Sequence, residues 1–337
     1  MNIEKRSARF GAANLIFAIL TRVVGAVSAP QVQAESFFPH RPSGGISMGT
    51  GTTPATTIPT TVFQPTSIPS QPPQLPTQPP LPSAVVISLA DMDLVRFRYA
   101  TDCPHQTQLQ PLLLQPLMWQ LAGEAPTVLI LHSHASESYT RQPGQEYTET
   151  CDYRTLNLEY NMVAVGDALA ALLEAAGIGV IHDRQIHDYP SYNQAYGNSR
   201  KSVESYLEEY PSIRLVLDLH RDAALNADGS QYATSAMVDG QKAAQLMLLI
   251  GSDPGNGIHP NWEENLALAL KMQVILEKEN PGITRRTVLR GCTFHQELSP
   301  GMLIVEVGTA GNTLQEAKLA MQPLAAAIIA LQSGANL

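Results

Sequence analysis

The chain has 337 residues, with 21 Lys and Arg against 30 Asp and Glu, a formal net charge of −9, 44% hydrophobic and 15% charged residues. That balance excludes a basic nucleic-acid binder. Length would allow two domains at roughly 150 residues each, but composition partitions the chain first. No charged residue lies between Arg41 and Asp91, and eleven of the 25 prolines fall between Pro42 and Pro82; such a stretch cannot build a core.

The N-terminus opens with Lys5, Arg6 and Arg9, continues through an apolar run from Phe10 to Leu20, and reaches Val32, Gln33 and Ala34 before Glu35. Basic residues, an apolar run and a small-residue end are the order of a secretory signal. Arg22 interrupts the run, leaving it well short of the roughly 20 residues of a membrane span. Residues 1–34 are therefore expected to be a signal peptide, with a signal anchor as the alternative. Residues 35–83 are expected to form a disordered, Pro/Thr/Ser-rich linker, extended and solvated because proline fixes φ. Its role would be reach, between a membrane or a cleaved terminus and a folded domain.

The folded domain is expected over 84–337. Its pattern of short apolar runs and longer helical periodicities, punctuated by Gly, Pro and Asn, reads as α/β. Strands are predicted at 127–131, 179–182, 214–219, 243–250 and 302–307. Each is short and nearly all apolar, as when helices cover both faces of a mostly parallel central sheet. Helices are predicted at 158–176, ending at Gly177, at 199–209 before Pro211, and at 262–279 before Pro281. The last helix is expected from Asn312 or Thr313, with Glu316 completing a capping box. Cys103, Cys151 and Cys292 form no CxxC. A thiolate metal site is thus not expected, and export would permit at most one internal disulfide.

Three strands run into polar residues. Val128–Leu131 leads to His132, Ser133, His134, Ala135, Ser136 and Glu137; Leu215–Leu219 leads to His220, Arg221 and Asp222; the third ends at Glu306. In α/β sheets reactive groups gather at the carboxyl ends of strands. Catalytic zinc takes three protein ligands and leaves one position for water, and two His with one Glu satisfy it. His134 and Glu137, three apart in a turn, can face one centre, with His220 arriving from a second strand. His132 competes: if 131–134 are extended, His132 and His134 share a face, and one is a ligand while the other contacts substrate or supports a ligand. Glu306, at the end of a buried strand, would have its carboxyl pKa raised, suited to a general base that then protonates a leaving amine in amide hydrolysis. Arg221 would bind a substrate carboxylate, and Asp218 or Asp222 would orient a ligand histidine. His295 could lie over the site, whereas His40, His105, His182, His187 and His259 read as ordinary loop residues. Gly308–Asn312 reads as a turn leading into a helix. No Gly-x-Ser-x-Gly elbow and no phosphate-binding glycine loop is present.

With these residues the sequence resembles the stage II sporulation protein P family of secreted zinc N-acetylmuramoyl-L-alanine amidases. The resemblance covers Thr127 to the C-terminus, through VLILHSHASESY, LVLDLHRDA, HPNWEENLALAL and LSPGMLIVEVGTAGNTLQEA. It implies a single amidase-like domain, Zn2+ on His134 (or His132), Glu137 and His220, and Glu306 as the catalytic glutamate. His132, Arg221 and His295 would contact substrate. It further implies cleavage of the bond between N-acetylmuramic acid and L-alanine in peptidoglycan, with endopeptidase action on stem peptides as an addition. The rival readings are a zinc carboxypeptidase or endopeptidase on stem peptides, and a non-catalytic wall-binding domain. The expected setting is extracytoplasmic, secreted or membrane-tethered and facing the cell wall. The expected partners are peptidoglycan and a glycan-processing or activating protein, with no nucleic acid.

Overall fold

The computed structural model describes residues 86–117, 121, 123 and 125–332; the signal and linker expectations lie outside them. In chain order the elements are β1 (Phe97–Tyr99), α1 (Leu109–Leu114), β2 (Val128–Leu131), β3 (Glu149–Cys151), β4 (Arg154–Thr155), α2 (Met162–Ala175), β5 (Val180–His182), α3 (Ala195–Glu209), β6 (Leu215–Asp222), β7 (Ser235–Val238), β8 (Gln241–Ala244), β9 (Leu246–Gly251), α4 (Trp262–Glu279), β10 (Thr287–Arg290), β11 (Met302–Thr309) and α5 (Leu314–Gln332). Seven strands form the central sheet in the order β1-β10-β9-β11-β6-β2-β5. All neighbours are parallel except β9 and β11. The fold is thus the expected α/β sheet, mostly parallel and flanked by helices.

The helices divide unequally between the two faces. Val128, Ile130, Leu215, Leu217, Leu219, Leu303, Val305 and Val307 point into a large core with α2, α4 and α5. Leu129, Leu131, Val216 and Met302 point the other way, onto Val203, Tyr206 and Leu207 of α3. This alternation follows from the period-2 geometry of a strand, and it fixes the face of every polar residue further along. Asp218 and His220 continue the Val216 parity, and Glu306 continues that of Met302. His132 continues the parity of Val128 and Ile130.

Several boundaries differ from the sequence reading. The single strand expected at 243–250 is two, in two sheets. Gln245 interrupts it, its amide donating to Thr234 O and its carbonyl accepting from Gly308 N, so Gln241–Ala244 pairs with β7 as a hairpin. The first long helix begins at Met162 rather than Leu158, because the Asn161 side chain accepts from Val163 N and caps it. β6 and β11 run on to Asp222 and Thr309, so His220 sits inside its strand rather than beyond it, and Glu306 lies inside its strand as expected. The capping box is as expected: Thr313 N donates to Glu316 Oε2 and Glu316 N donates to Thr313 Oγ1. All three cysteines are free thiols, with Cys151 exposed. Among the described residues no helix is long and apolar enough to cross a membrane.

The turn between β11 and α5 is fastened by Asn312, which is fully buried. Its Oδ1 accepts from Thr309 N at 3.0 Å and Thr234 N at 3.2 Å, and its Nδ2 donates to Thr234 O at 3.0 Å and Glu316 Oε2 at 2.7 Å. Asn312→Ala would strand these buried groups, each costing roughly 1–3 kcal/mol when unpaired. The expected loss is about 3 kcal/mol of unfolding free energy, read from urea denaturation.

Candidate active site at the carboxyl edge of the sheet

Register shows how the site is assembled. Leu131, the last residue of β2, is level with Asp218 of β6, and Asp218 is level with Ile304 of β11. His220 and Glu306 are partners two residues further on. β2 therefore stops short and leaves a notch, with His220 and Glu306 side by side on its wall on the α3 face. The chain leaving β2 turns in this notch, Glu137 N donating to His134 O at 3.1 Å, and places His134 and Glu137 beside His220. The His134 and His220 rings lie 5.4 Å apart in a T-shaped arrangement, and Glu137 Oε2 is 3.6 Å from His220 Nδ1. Three of the expected residues are thus brought together, with Glu306 next to them.

His132 does not join them. Strand parity sends its ring through to the α2 face, where Nδ1 meets Leu219 O at 3.1 Å and Nε2 meets His182 Nε2 at 2.9 Å. The premise that 131–134 are extended fails because the chain turns from Ser133 onward. Gly166 on α2 makes room for the two rings: a Cβ there would lie 2.4 Å from His182 Nε2 and 2.6 Å from His132 Nε2. His182, expected as an ordinary loop residue, is therefore the last residue of β5 and the partner of His132. His187 is likewise buried, paired with Asp183 at 3.0 Å. Burial is the main cause of the fall of the His132 pKa to about 3, so that ring is neutral.

His220 and Glu137 are held from behind. Asp218 Oδ1 accepts from Ser133 N at 2.8 Å and lies 2.9 Å from His220 Nε2, making Asp218 rather than Asp222 the residue that orients a histidine. Asp222 pairs with Arg285 at 2.7 Å. Glu137, 1% exposed, accepts from Arg154 Nη2 at Oε1 and from Arg221 N at Oε2, each at 3.1 Å. Arg221 was expected to bind substrate, but its guanidinium is buried, with Nε donating to Ser138 O at 3.1 Å and Nη2 to Tyr153 O at 3.0 Å. His295 lies near the site with its ring 5.1 Å from Tyr196. It follows Phe294 in left-handed backbone, with φ of 62° and 50°, a conformation uncommon outside glycine that marks local strain.

The sequence reading missed Arg154, Asp188, Tyr192 and Tyr196. Asp188 is buried, accepts from Ser136 N at 3.2 Å and Arg154 Nη1 at 2.6 Å, and stands 3.7 Å from His134 Nδ1. Tyr192 stacks on His134 at 4.4 Å, and Tyr196 meets the same ring edge-on at 5.5 Å. Arg154 comes from a two-residue hairpin strand and the other three from a loop or first helical turns, without long strand or helix periodicity to mark them.

Burial and charge set the proton states. Burial lowers the His134 pKa, keeping that imidazole neutral. Burial would raise Glu137, but the Arg221 charge, His220 and Arg154 outweigh it and hold the carboxylate ionised. Asp218 is lowered to about 2: burial opposes the shift, and the His220 charge and hydrogen bond prevail. In return Asp218 and Glu137 raise His220 against its own burial. Glu306 goes the other way, up to about 8, chiefly through burial and with the nearby charges of Asp222 and Glu137 adding to it.

Among the described residues no three His, Cys, Asp or Glu side chains form a ready-made coordination shell. The donors nonetheless suit zinc: two imidazoles and an ionised carboxylate are grouped in the notch, and His134 Nδ1 and Glu306 Oε2 are buried without a hydrogen bond. Such a set at the carboxyl edge of a largely parallel sheet has the donor chemistry of a hydrolytic metal centre. Residues 90–329 match the family model described as Stage II sporulation protein P (SpoIIP), and the chain belongs to that family. Stage II sporulation protein P of Bacillus subtilis (strain 168) is 26% identical over 208 residues, covering 58% of this chain and 49% of that protein. The chain thus spans about half the length of the curated relative it matches. Solved structures with likeness to it include the N-acetylmuramyl-L-alanine amidase Ami1 from Mycobacterium smegmatis, with a TM-score of 0.38 and 14% identity, covering 63% of this chain and 98% of that one. Another is the N-acetylmuramoyl-L-alanine amidase AmiC2 of Nostoc punctiforme, with a TM-score of 0.38 and 10% identity over 61% of this chain and 97% of that one.

The raised Glu306 pKa has a consequence for stability. Between the unperturbed value of 4.5 and the folded value of about 8, the folded protein keeps a proton that the unfolded chain releases. Stability therefore falls as pH rises through that window. In metal-chelated protein, Glu306→Gln should match wild type near pH 5 and exceed it by about 3 to 4 kcal/mol near pH 8, read from denaturant unfolding at both values.

Proposed function

We propose that this protein is a zinc-dependent peptidoglycan hydrolase that cleaves the amide bond between N-acetylmuramic acid and L-alanine. The observation that carries the reading is the convergence of His134, Glu137 and His220 in one notch with Glu306 as the register partner of His220. Membership of the stage II sporulation protein P family supports the substrate class.

In this reading His134, Glu137 and His220 hold the metal. Zinc bound there would polarise the scissile carbonyl and make bound water acidic. Asp218 fixes the orientation of the His220 ring through its contact at Nε2, and its own position is fixed by Ser133. Glu306 takes the proton of the attacking water at its carboxylate and delivers it to the departing nitrogen. A carboxyl whose pKa has been moved toward neutrality can do both. Its upward shift reflects burial, and a bound dication would draw it down toward the working range. Tyr196 and His295 border the same space and would contact substrate. His132 is on the opposite face of the sheet and supports the structure beneath the site, and Arg221 shapes the loop around Glu137. An extracytoplasmic location, with the N-terminal segment as leader or anchor and the Pro-rich tract as tether, suits an enzyme that must reach a wall polymer. A glycan-processing or activating partner belongs to the same proposal.

The test is digestion of purified peptidoglycan by the full chain supplied with zinc, followed by mass analysis of the released products. Stem peptides with a free L-alanine N-terminus are expected, abolished by chelation and restored by zinc. Glu306→Gln should lower their release by roughly 100-fold or more, and His220→Ala should abolish both release and bound zinc. Cleavage within the stem would replace the proposal with a peptidase. Bound zinc without products would leave a wall-binding domain.

A further inference from the structure

The hairpin of β3 and β4 projects from the chain between β2 and α2, and it carries one cation into the site. Arg154 has 11% of its side chain exposed, and it meets two buried acids at once. Nη1 donates to Asp188 Oδ2 at 2.6 Å and to Ser136 Oγ at 3.1 Å, and Nη2 donates to Glu137 Oε1 at 3.1 Å. Its Cζ lies 4.9 Å over the ring of Tyr192, whose ring stacks on His134. The backbone repeats the connection: Arg154 and Glu137 form an antiparallel bridge, Ser138 N donates to Tyr153 O and Thr155 N to Ser136 O, each at 2.8 Å.

The geometry points to Arg154 as the positioning residue of the metal centre, setting the orientation of Glu137 directly and that of His134 through Asp188 and Tyr192. The assignment rests on the ligand set proposed above. Three features of the guanidinium suit it to this work. Its planar fork reaches two carboxylates that diverge, where an ammonium is a point charge that would satisfy one. Its charge offsets Asp188 and Glu137, two buried anions that would otherwise repel each other with little water to screen them. By holding Glu137 at Oε1 it leaves Oε2 on the side of His220. Residues that orient metal ligands from behind commonly change metal affinity 10- to 100-fold when removed.

The experiment uses the full chain as wild type, Arg154→Met, Arg154→Lys and His220→Ala. Zinc affinity is measured by competition with a chromogenic chelator, and the coordination of cobalt(II) in place of zinc is read from its visible absorption spectrum. Amide hydrogen exchange is followed in the metal-free protein. Arg154→Met is expected to weaken zinc binding roughly 10- to 100-fold and alter the cobalt spectrum. Arg154→Lys should fail to restore either. In the metal-free protein, Arg154→Met should speed exchange of the Ser136 and Arg221 amides, which donate to Asp188 and Glu137, while the Leu129–Leu131 amides keep their protection. Wild-type affinity and spectrum in either Arg154 variant would overturn the assignment and leave the zinc site intact if His220→Ala still loses the metal. Absence of zinc binding in wild type would instead sink the functional reading. The metal role of Arg154 would fall with it, and the exchange data would separate the two failures: faster Ser136 and Arg221 amides would keep Arg154 as the residue that orients Glu137 and Asp188, and unchanged ones would remove that as well.

Discussion

Alternation of side chains along a strand, locked by register between β2, β6 and β11, is the constraint on which the site depends. Asp218, His220 and Glu306 share the α3 face because Val216 and Met302 do. His132 is sent to the other face with Val128 and Ile130. A slip of one residue would exchange all of these positions. The large core beneath, where Leu217, Leu219, Val305 and Val307 pack against the helices, is what prohibits such a slip: the apolar set would be turned out with the polar one. The same packing that stabilises the sheet therefore specifies which side chains reach the notch.

The notch is a dense cluster of ionisable groups. Glu137, Asp218, Asp188, Arg154, Arg221, His134 and His220 are each almost withdrawn from water. Removing ions from water is costly unless they are paired and hydrogen-bonded. All but one of the acids meet that condition, with cationic or backbone donors close by. Glu306 differs, with one carboxyl oxygen buried and lacking a hydrogen bond, and its proton affinity rises as a result. The group left without compensation is the one for which proton transfer is proposed, in keeping with the clustering of perturbed carboxyls at working sites.

Much of this was legible in the sequence, for reasons that also explain the remainder. Nearly continuous apolar runs ending in polar residues located β2, β6 and β11, and with them His134, Glu137, His220 and Glu306, since burial on both faces writes itself as a run. The capping box of α5 was visible because its chemistry is local. The side of the sheet reached by His132 was not, since it depends on where the strand gives way to a turn, and apolar pattern places such boundaries only approximately. Arg154 and Asp188 were hidden because nothing in the composition of a short hairpin or a loop says that its charges will be buried. Arg221 misled for the converse reason: a cation beside His220 reads as available to substrate until Ser138 and Tyr153 are seen to occupy it.

The two halves of the site differ in how far the chain must travel to make them. Glu137, Arg154 and Asp188 are joined by contacts spanning 17 and 34 residues, whereas Ser133 reaches Asp218 across 85 and Arg221 reaches Glu137 across 84. Closing longer loops costs more chain entropy and slows the pairing that depends on them. The turn and its hairpin can take shape as a local unit early in folding, while His220 and Glu306 arrive only when parallel strands dock. A nascent chain would hold Glu137 and His134 before His220 and Glu306 exist to join them, so the notch would be complete only with the last strand.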